Sequence, residues 1–261
     1  MARGGKTKQI DGQLCFDFCT DSSKYLVQAN ELIDGRQALK LNSAKLIRAA
    51  IMQIKPEDKE IKPYIVTVKD FANLLGIDES NVYKFADDIT DDIIKNPVYV
   101  REKDEKGKLL RWVKIPWVSF CEYNADAGIA IKLNDLLKPF LLQLQKHYTQ
   151  IVLEDVLAMK SVYAIRIFEM LQSKVMSKLL PKEGVHIIIP VQEIRECCDC
   201  MNKLERFNNF KQKVLDVAKS EIERVTSYRI EYSYVKQGRS VTAIDFHMNM
   251  WYHMNLVQNH K

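Results

Sequence analysis

From residue 210 to 225 apolar side chains return every three or four positions. Phe210, Val214, Ala218, Ile222 and Val225 fall on one stripe with Leu215 beside them, while Gln212, Lys213, Asp216, Lys219, Ser220 and Glu223 take the other side. This spacing predicts an amphipathic helix over 209–225. Asn208 or Asn209 offers a side-chain oxygen to cap its free amides, and Thr226-Ser227 ends the pattern. The period then drops to two: Ile230, Tyr232 and Tyr234 alternate with Glu231 and Ser233, and Val241, Ile244 and Phe246 mark a returning strand. Residues 236–239 form the turn, with Gly238 free to take a positive φ.

The same order of elements occurs earlier in the chain. A short strand at 65–68 leads into a helix at 69–75, stopped by Gly76. Asp78 or Ser80 caps a second helix at 81–95, with Val82, Phe85, Ile89 and Ile93 spaced for burial. A hairpin of 97–100 and 109–120 follows across 104–107. In the second half the strand is 187–191, the first helix 192–198, the second 209–225 and the hairpin 229–248. Val191, Ile194, Cys197 and Cys198 thus occupy the places of Val68, Phe71, Leu74 and Leu75. An amphipathic helix precedes each half, at 43–54 and at 161–172. Two helices across a short turn, followed by a ribbon, make a helix-turn-helix with a wing. The predicted class is α+β: two tandem winged-helix domains related as a pseudo-repeat, at 25–133 and 160–250. A linker helix at 134–159 joins them, since Leu136, Leu137, Phe140, Leu141, Leu144 and Tyr148 keep helical spacing. A basic, disordered segment (1–24) precedes them, and a tail (251–261) follows.

A chain of 261 residues is long enough for two domains, each with its own core. It has no charged-then-apolar leader and no apolar run long enough to span a bilayer, which predicts a cytoplasmic protein without membrane partners. The net charge of +5 is too mild to identify a nucleic-acid binder by itself. Its distribution says more. The segment 78–92 carries Asp78, Glu79, Asp87, Asp88, Asp91 and Asp92 against Lys84 alone, whereas the first wing carries Lys103, Lys106, Lys108, Arg111 and Lys114. Reading a major groove needs long side chains with paired donors, arginine or lysine for guanine and glutamine or asparagine for adenine. Arg206, Asn208, Asn209, Lys211, Gln212 and Lys213 place that chemistry at the start of one helix. Lys236 and Arg239 on the second wing, and Lys106, Lys108 and Arg111 on the first, suit backbone phosphates. The competing reading is a solvated helix face. Two linked readers imply a footprint over two adjacent major grooves on one face of double-stranded DNA.

Other chemistry is weakly signalled. Cys197, Cys198 and Cys200 miss the spacing of zinc ligands and read as core residues, like Cys15, Cys19 and Cys121 reduced in a cytoplasmic chain; no cofactor is expected. Arg166 reads as the partner of Glu169 in a structural ion pair, with a DNA phosphate as the competing partner, and Trp112, Trp117 and Trp251-Tyr252 as packing residues, with a partner surface as the competing role. His147, His186, His247, His253 and His260 form no close pair of the kind a metal-dependent nicking enzyme needs. Gly5-Lys6-Thr7 lacks the preceding glycine and strand of a phosphate-binding loop. The chain is therefore not read as an enzyme.

Several ordered blocks give a resemblance. Residues 27–33 (VQANELI), 81–84 (NVYK), 136–144 (LLKPFLLQL) with Tyr148-Thr149, 161–171 (SVYAIRIFEML), 210–215 (FKQKVL), Glu221-Ile222, Thr226 and Gly238-Arg239 resemble the initiator (Rep) proteins of iteron-containing, theta-replicating plasmids. The resemblance implies that the second domain reads direct repeats at the origin, while the first contacts neighbouring backbone or forms a homodimer. It implies that monomers help open the origin, that dimers repress the initiator's own promoter, and that a host replication initiator and helicase are partners. Gln212 stands where the family is commonly basic, which implies a different base preference. A tandem winged-helix transcription regulator is the alternative reading, and a DNA-nicking initiator the disfavoured one.

Overall fold

In a computed structural model the structure describes residues 14–16 (backbone only), 25–55, 57–104, 109–175 and 180–250. The strands are β1 (Leu14–Phe16), β2 (Tyr25–Ala29), β3 (Tyr64–Val66), β4 (Val98–Lys103), β5 (Leu109–Ile115), β6 (Val118–Asn124), β7 (Gly128–Leu133), β8 (Tyr148–Val152), β9 (Val185–Pro190), β10 (Tyr228–Gln237) and β11 (Ser240–Met250). The helices are α1 (Asn30–Asp34), α2 (Leu41–Met52), α3 (Val68–Leu75), α4 (Val82–Lys95), α5 (Lys138–Leu141), α6 (Leu153–Ala158), α7 (Val162–Lys174), α8 (Val191–Cys197) and α9 (207–225).

The first helix-turn-helix forms for the reasons its sequence suggests. Thr67 caps α3 by accepting from the Asp70 amide, and Gly76 ends it at φ 67°, a left-handed position that glycine takes without strain. Asp78 accepts from the Ser80 amide at the following turn. Helix α4 then buries Val82, Ala86, Ile89 and Ile93. In the second half β9, α8, α9 and the β10–β11 ribbon repeat the order, and β9 pairs with β11 to close a three-stranded sheet.

Four expectations need correction. The run 109–120 is two strands: β5 pairs with β4 as the wing, whereas β6 pairs with β7 in a sheet ordered β1-β3-β7-β6. Pro116, which has no amide to give a ladder, stands at the break. Trp117 beside it is fully buried in the core, whereas Trp112 is 55% exposed on the wing. Segment 134–159 is not one linker helix. Pro139 sits in the first turn of α5, Gln143 and His147 take positive φ, and the β-branched run through Thr149, Ile151 and Val152 forms β8, paired antiparallel with β2. Third, the apolar triplet 14–16, inside the segment taken as disordered, pairs parallel with β3. The rest of 1–24 and the tail 251–261, with Trp251-Tyr252, lie outside the described residues. Finally, the halves do not keep separate cores: one continuous buried cluster runs from Leu26 and Phe71 through Phe168 to Ile222 and Phe246.

The seam between the halves is also electrostatic. Glu169 on α7 is fully buried and accepts two hydrogen bonds from Arg48 on α2, both 2.9 Å, and one of 2.5 Å from Arg166. Arg166 further donates to the carbonyls of Ile33, Gly35 and Cys197, and Arg48 to Gln37. Burial pushes the Glu169 carboxyl up, but the charges and hydrogen bonds of Arg48 and Arg166 outweigh it and hold the group below its ordinary value. Nearer solvent, Arg36 pairs with Asp199, Arg101 with Glu196, and Lys174 with Asp34 and Glu193. The ion pair expected between Arg166 and Glu169 is thus the centre of a network that bridges both halves.

Candidate nucleic-acid interface

Helix α9 begins two residues earlier than its sequence suggests. Arg206 is the N-cap residue, no side chain caps this end, and neither Asn208 nor Asn209 does so. The early start is fixed by packing: the Phe207 ring meets Tyr234 of β10 edge-on at 5.5 Å and Phe210 at 6.0 Å. Asn208 and Asn209 consequently lie in the first turn, both exposed. With Gln212 and Lys213 they form an outward stripe at spacings of one and four. The opposite face buries Phe210, Val214, Leu215, Ala218 and Ile222.

The middle of α9, Lys211–Asp216, is a π-helical turn between α-helical segments Phe207–Phe210 and Val217–Val225. Such turns are rare and frequently mark functional sites. Residues five apart diverge by about 140° on an α-helix. Here the π turn lets the Lys211 ammonium donate to the Asp216 carboxylate at 2.7 Å, and Tyr232 on β10 donates its hydroxyl to the same carboxylate. Burial pushes Asp216 up, but the hydrogen bonds from Lys211 and Tyr232 prevail and lower it. The hydrogen bond to Asp216 in turn raises Lys211. Burial pushes Tyr232 well above its ordinary value, and its bond to Asp216 adds to the rise.

The loop before α9 is held from inside. Arg195 on α8 lies with its guanidinium 4.4 Å over the Phe210 ring and donates to the carbonyls of Cys200, Lys203, Leu204 and Glu205. Asp199 and Leu204 in this loop take positive φ, 50° and 57°, as it turns back towards α9. The cysteines serve the core: Cys197, Cys198 and Cys200 are buried, and burial pushes the Cys197 and Cys200 thiols up to about 11. No cluster of three or more potential metal ligands occurs among the described residues.

The expected residues therefore divide into groups. Arg206, Asn208, Asn209, Gln212 and Lys213 come together at one end of α9 with no side-chain partner among the described residues. Lys211 joins them in place but is tied to Asp216. Lys236 and Arg239 stand exposed at the tip of the β10–β11 ribbon, where Gly238 takes φ 62° between the paired residues Gln237 and Ser240. On the first wing Arg111 is exposed and 3.5 Å from Glu102, and Lys106 and Lys108 lie outside the described residues. The sequence reading missed Asp216, Tyr232 and Arg195. The first two could not be found by helical spacing, because a five-residue pair is not a neighbour on an α-helix.

Two copies of helix-turn-helix plus ribbon, the second presenting an uncapped helix end beside a basic wing tip, define a tandem winged-helix protein of the DNA-binding class. Residues 25–172 match the family model described as initiator replication protein, WH1, and residues 190–248 the one described as initiator Rep protein, WH2. The chain belongs to this family of plasmid replication initiators, which act by binding DNA rather than by catalysis. Among solved structures it is similar to the Pi initiator protein in complex with iteron DNA, with a TM-score of 0.69 and 19% identity over 88% of this chain and 98% of that one. Domains 2 and 3 of RctB give a TM-score of 0.37 at 12% identity, over 81% of each chain. No helix among the described residues is long and apolar enough to cross a membrane.

Proposed function

We propose that this initiator binds direct repeats at a plasmid origin, helps open it, and as a homodimer represses its own promoter. The observation that carries the reading is the stripe of Asn208, Asn209, Gln212 and Lys213, outward-facing and without side-chain partners among the described residues, on a helix locked to its wing by the Phe207–Tyr234 contact. Amide and ammonium groups of that length suit adenine and guanine edges in a major groove. Arg206, Lys236 and Arg239 flank the stripe and meet phosphates on either side, fixing register rather than sequence. Lys106, Lys108 and Arg111 give the first wing the same role one groove away. The likeness to a protein crystallised with iteron DNA supports direct repeats as the target. A host replication initiator and helicase then act on the opened strands.

A footprint on the parent replicon tests this at low and at physiological salt, without nucleotide or metal. Regular protection of tandem repeats that survives the higher salt is the expected result, because non-specific phosphate binding falls steeply there. Protection of one inverted repeat at a promoter would instead make the protein a transcription regulator.

A further inference from the structure

Four cations project from α9: Lys211, Lys213, Lys219 and Arg224. Three are already neutralised. Lys219 donates to the Ile230 carbonyl and to Glu231, each at 2.7 Å. Arg224 donates to Glu221 at 2.8 Å and to the Ala158 carbonyl at 3.0 Å. Lys211 is held by Asp216, which the Tyr232 hydroxyl in turn fixes to the wing. Lys213 alone has no side-chain partner among the described residues.

We propose that Asp216 is a specificity-determining residue that acts through Lys211, holding its ammonium across the π turn and away from DNA phosphates. The proposal rests on α9 being the helix that meets DNA. A lysine on a phosphate strengthens binding to every sequence alike, so it raises competition from non-specific sites without improving discrimination. Withholding Lys211 lowers that background while Asn208, Asn209, Gln212 and Lys213 keep their access to base edges. The π turn is what makes the withholding possible, because on a regular α-helix residues 211 and 216 face different sides. Tyr232 adds the second constraint. Anchored from β10, the carboxylate cannot follow Lys211 out to a phosphate.

The test is a salt titration of affinity, by fluorescence anisotropy, for a duplex carrying the footprinted site and for one of unrelated sequence. The full chain is compared with Asp216→Asn, Lys211→Gln and the double variant. Asparagine keeps a side-chain oxygen for Tyr232 and removes the charge that binds Lys211. Asp216→Asn is expected to steepen the slope of log K against log salt on the unrelated duplex by about 0.9, one added phosphate contact, or about 3.5-fold more loss between 50 and 200 mM salt. The preference for the specific site should fall with it. Lys211→Gln alone should leave the slope at its starting value, and the double variant should return to it. A slope that flattens in Lys211→Gln would overturn the proposal, and this arm leaves Asp216 intact whatever its replacement does to folding. An equal steepening by Asp216→Asn with glutamine at 211 would also overturn it, since the gain would then come only from removing a negative charge. If the unaltered chain prefers no duplex, the reading of α9 fails instead.

Discussion

Replacing Glu169 by glutamine isolates the charge at the centre of the seam. The side chain keeps its shape, but the Arg48 and Arg166 guanidiniums, each 1% exposed, remain in a buried site without an anion. Breaking a buried ion pair from one side costs about 3–5 kcal/mol, because the remaining charge is uncompensated. Here two charges are left facing the same amide, so the upper part of that range is expected. That is a large fraction of the ~5–15 kcal/mol that holds a typical domain folded. Urea unfolding followed by tryptophan fluorescence reads it directly, since Trp117 is fully buried and should change environment when the core opens. A loss below about 1 kcal/mol would refute the reasoning, showing that the guanidiniums reach water in the variant. The acid side gives a second check. Glu169 has a lowered pKa in the folded chain, so its contribution is complete above the unfolded value of about 4.3 and is lost as pH falls through the lower folded value. The gap between native and variant should therefore be widest near neutrality and close in acid. Replacing all three charges with apolar residues should recover only part of the loss, because Arg166 also satisfies the carbonyls of Ile33, Gly35 and Cys197.

Three further outcomes are expected. Gln212→Ala or Lys213→Ala should each weaken site-specific binding by about 1–3 kcal/mol, with the preference relaxing at one base position; anisotropy against a set of single-base site variants checks this. Lys236→Ala with Arg239→Ala should flatten the salt slope by about 1.8 on specific and unrelated duplexes alike, leaving base preference unchanged. Gly238→Val should cost about 1–3 kcal/mol in urea unfolding through its φ of 62°, since no atom lies within 4 Å of where a Cβ would sit and crowding therefore contributes nothing.

The elements that position the candidate site were legible where a single periodicity governs a whole segment. Helices α3, α4 and α8 pack their predicted apolar positions into the core, the ribbon buries Ile230, Ile244 and Phe246 while Tyr234 stays exposed, and Gly76 and Gly238 mark the points where the chain must turn. Legibility failed where two signals overlapped. Leucine and phenylalanine spacing from 136 to 148 continues a helical pattern into residues whose β-branching places them in β8. Alternation carries across Pro116 although the partner strand changes from β4 to β7. In α2, where the spacing predicts an amphipathic helix, the polar residues Ser43, Lys45 and Arg48 are all buried. Arg48 is buried because its anion, Glu169, comes from a helix 121 positions away. On α9 the burial of Phe210, Val214 and Ala218 at intervals of four fits either kind of turn, so the one that captures Lys211 left no mark in the pattern.

The two helix-turn-helix units share an architecture but not a charge. Helix α4 exposes Tyr83, Lys84, Asp87, Asp88 and Asp91, and its Lys95 is paired to Asp91, whereas the matching end of α9 exposes Asn208, Asn209, Gln212 and Lys213. A row of carboxylates set into a groove walled by phosphates is repelled along its whole length, and low salt strengthens the repulsion. On that ground we propose that the first domain meets DNA through its wing rather than by seating α4 in a groove. Changing Asp87 and Asp88 to asparagine should then raise affinity for all duplexes together, more at 50 than at 200 mM salt, and leave base preference untouched. A new preference at one edge of the footprint would instead place α4 against the bases.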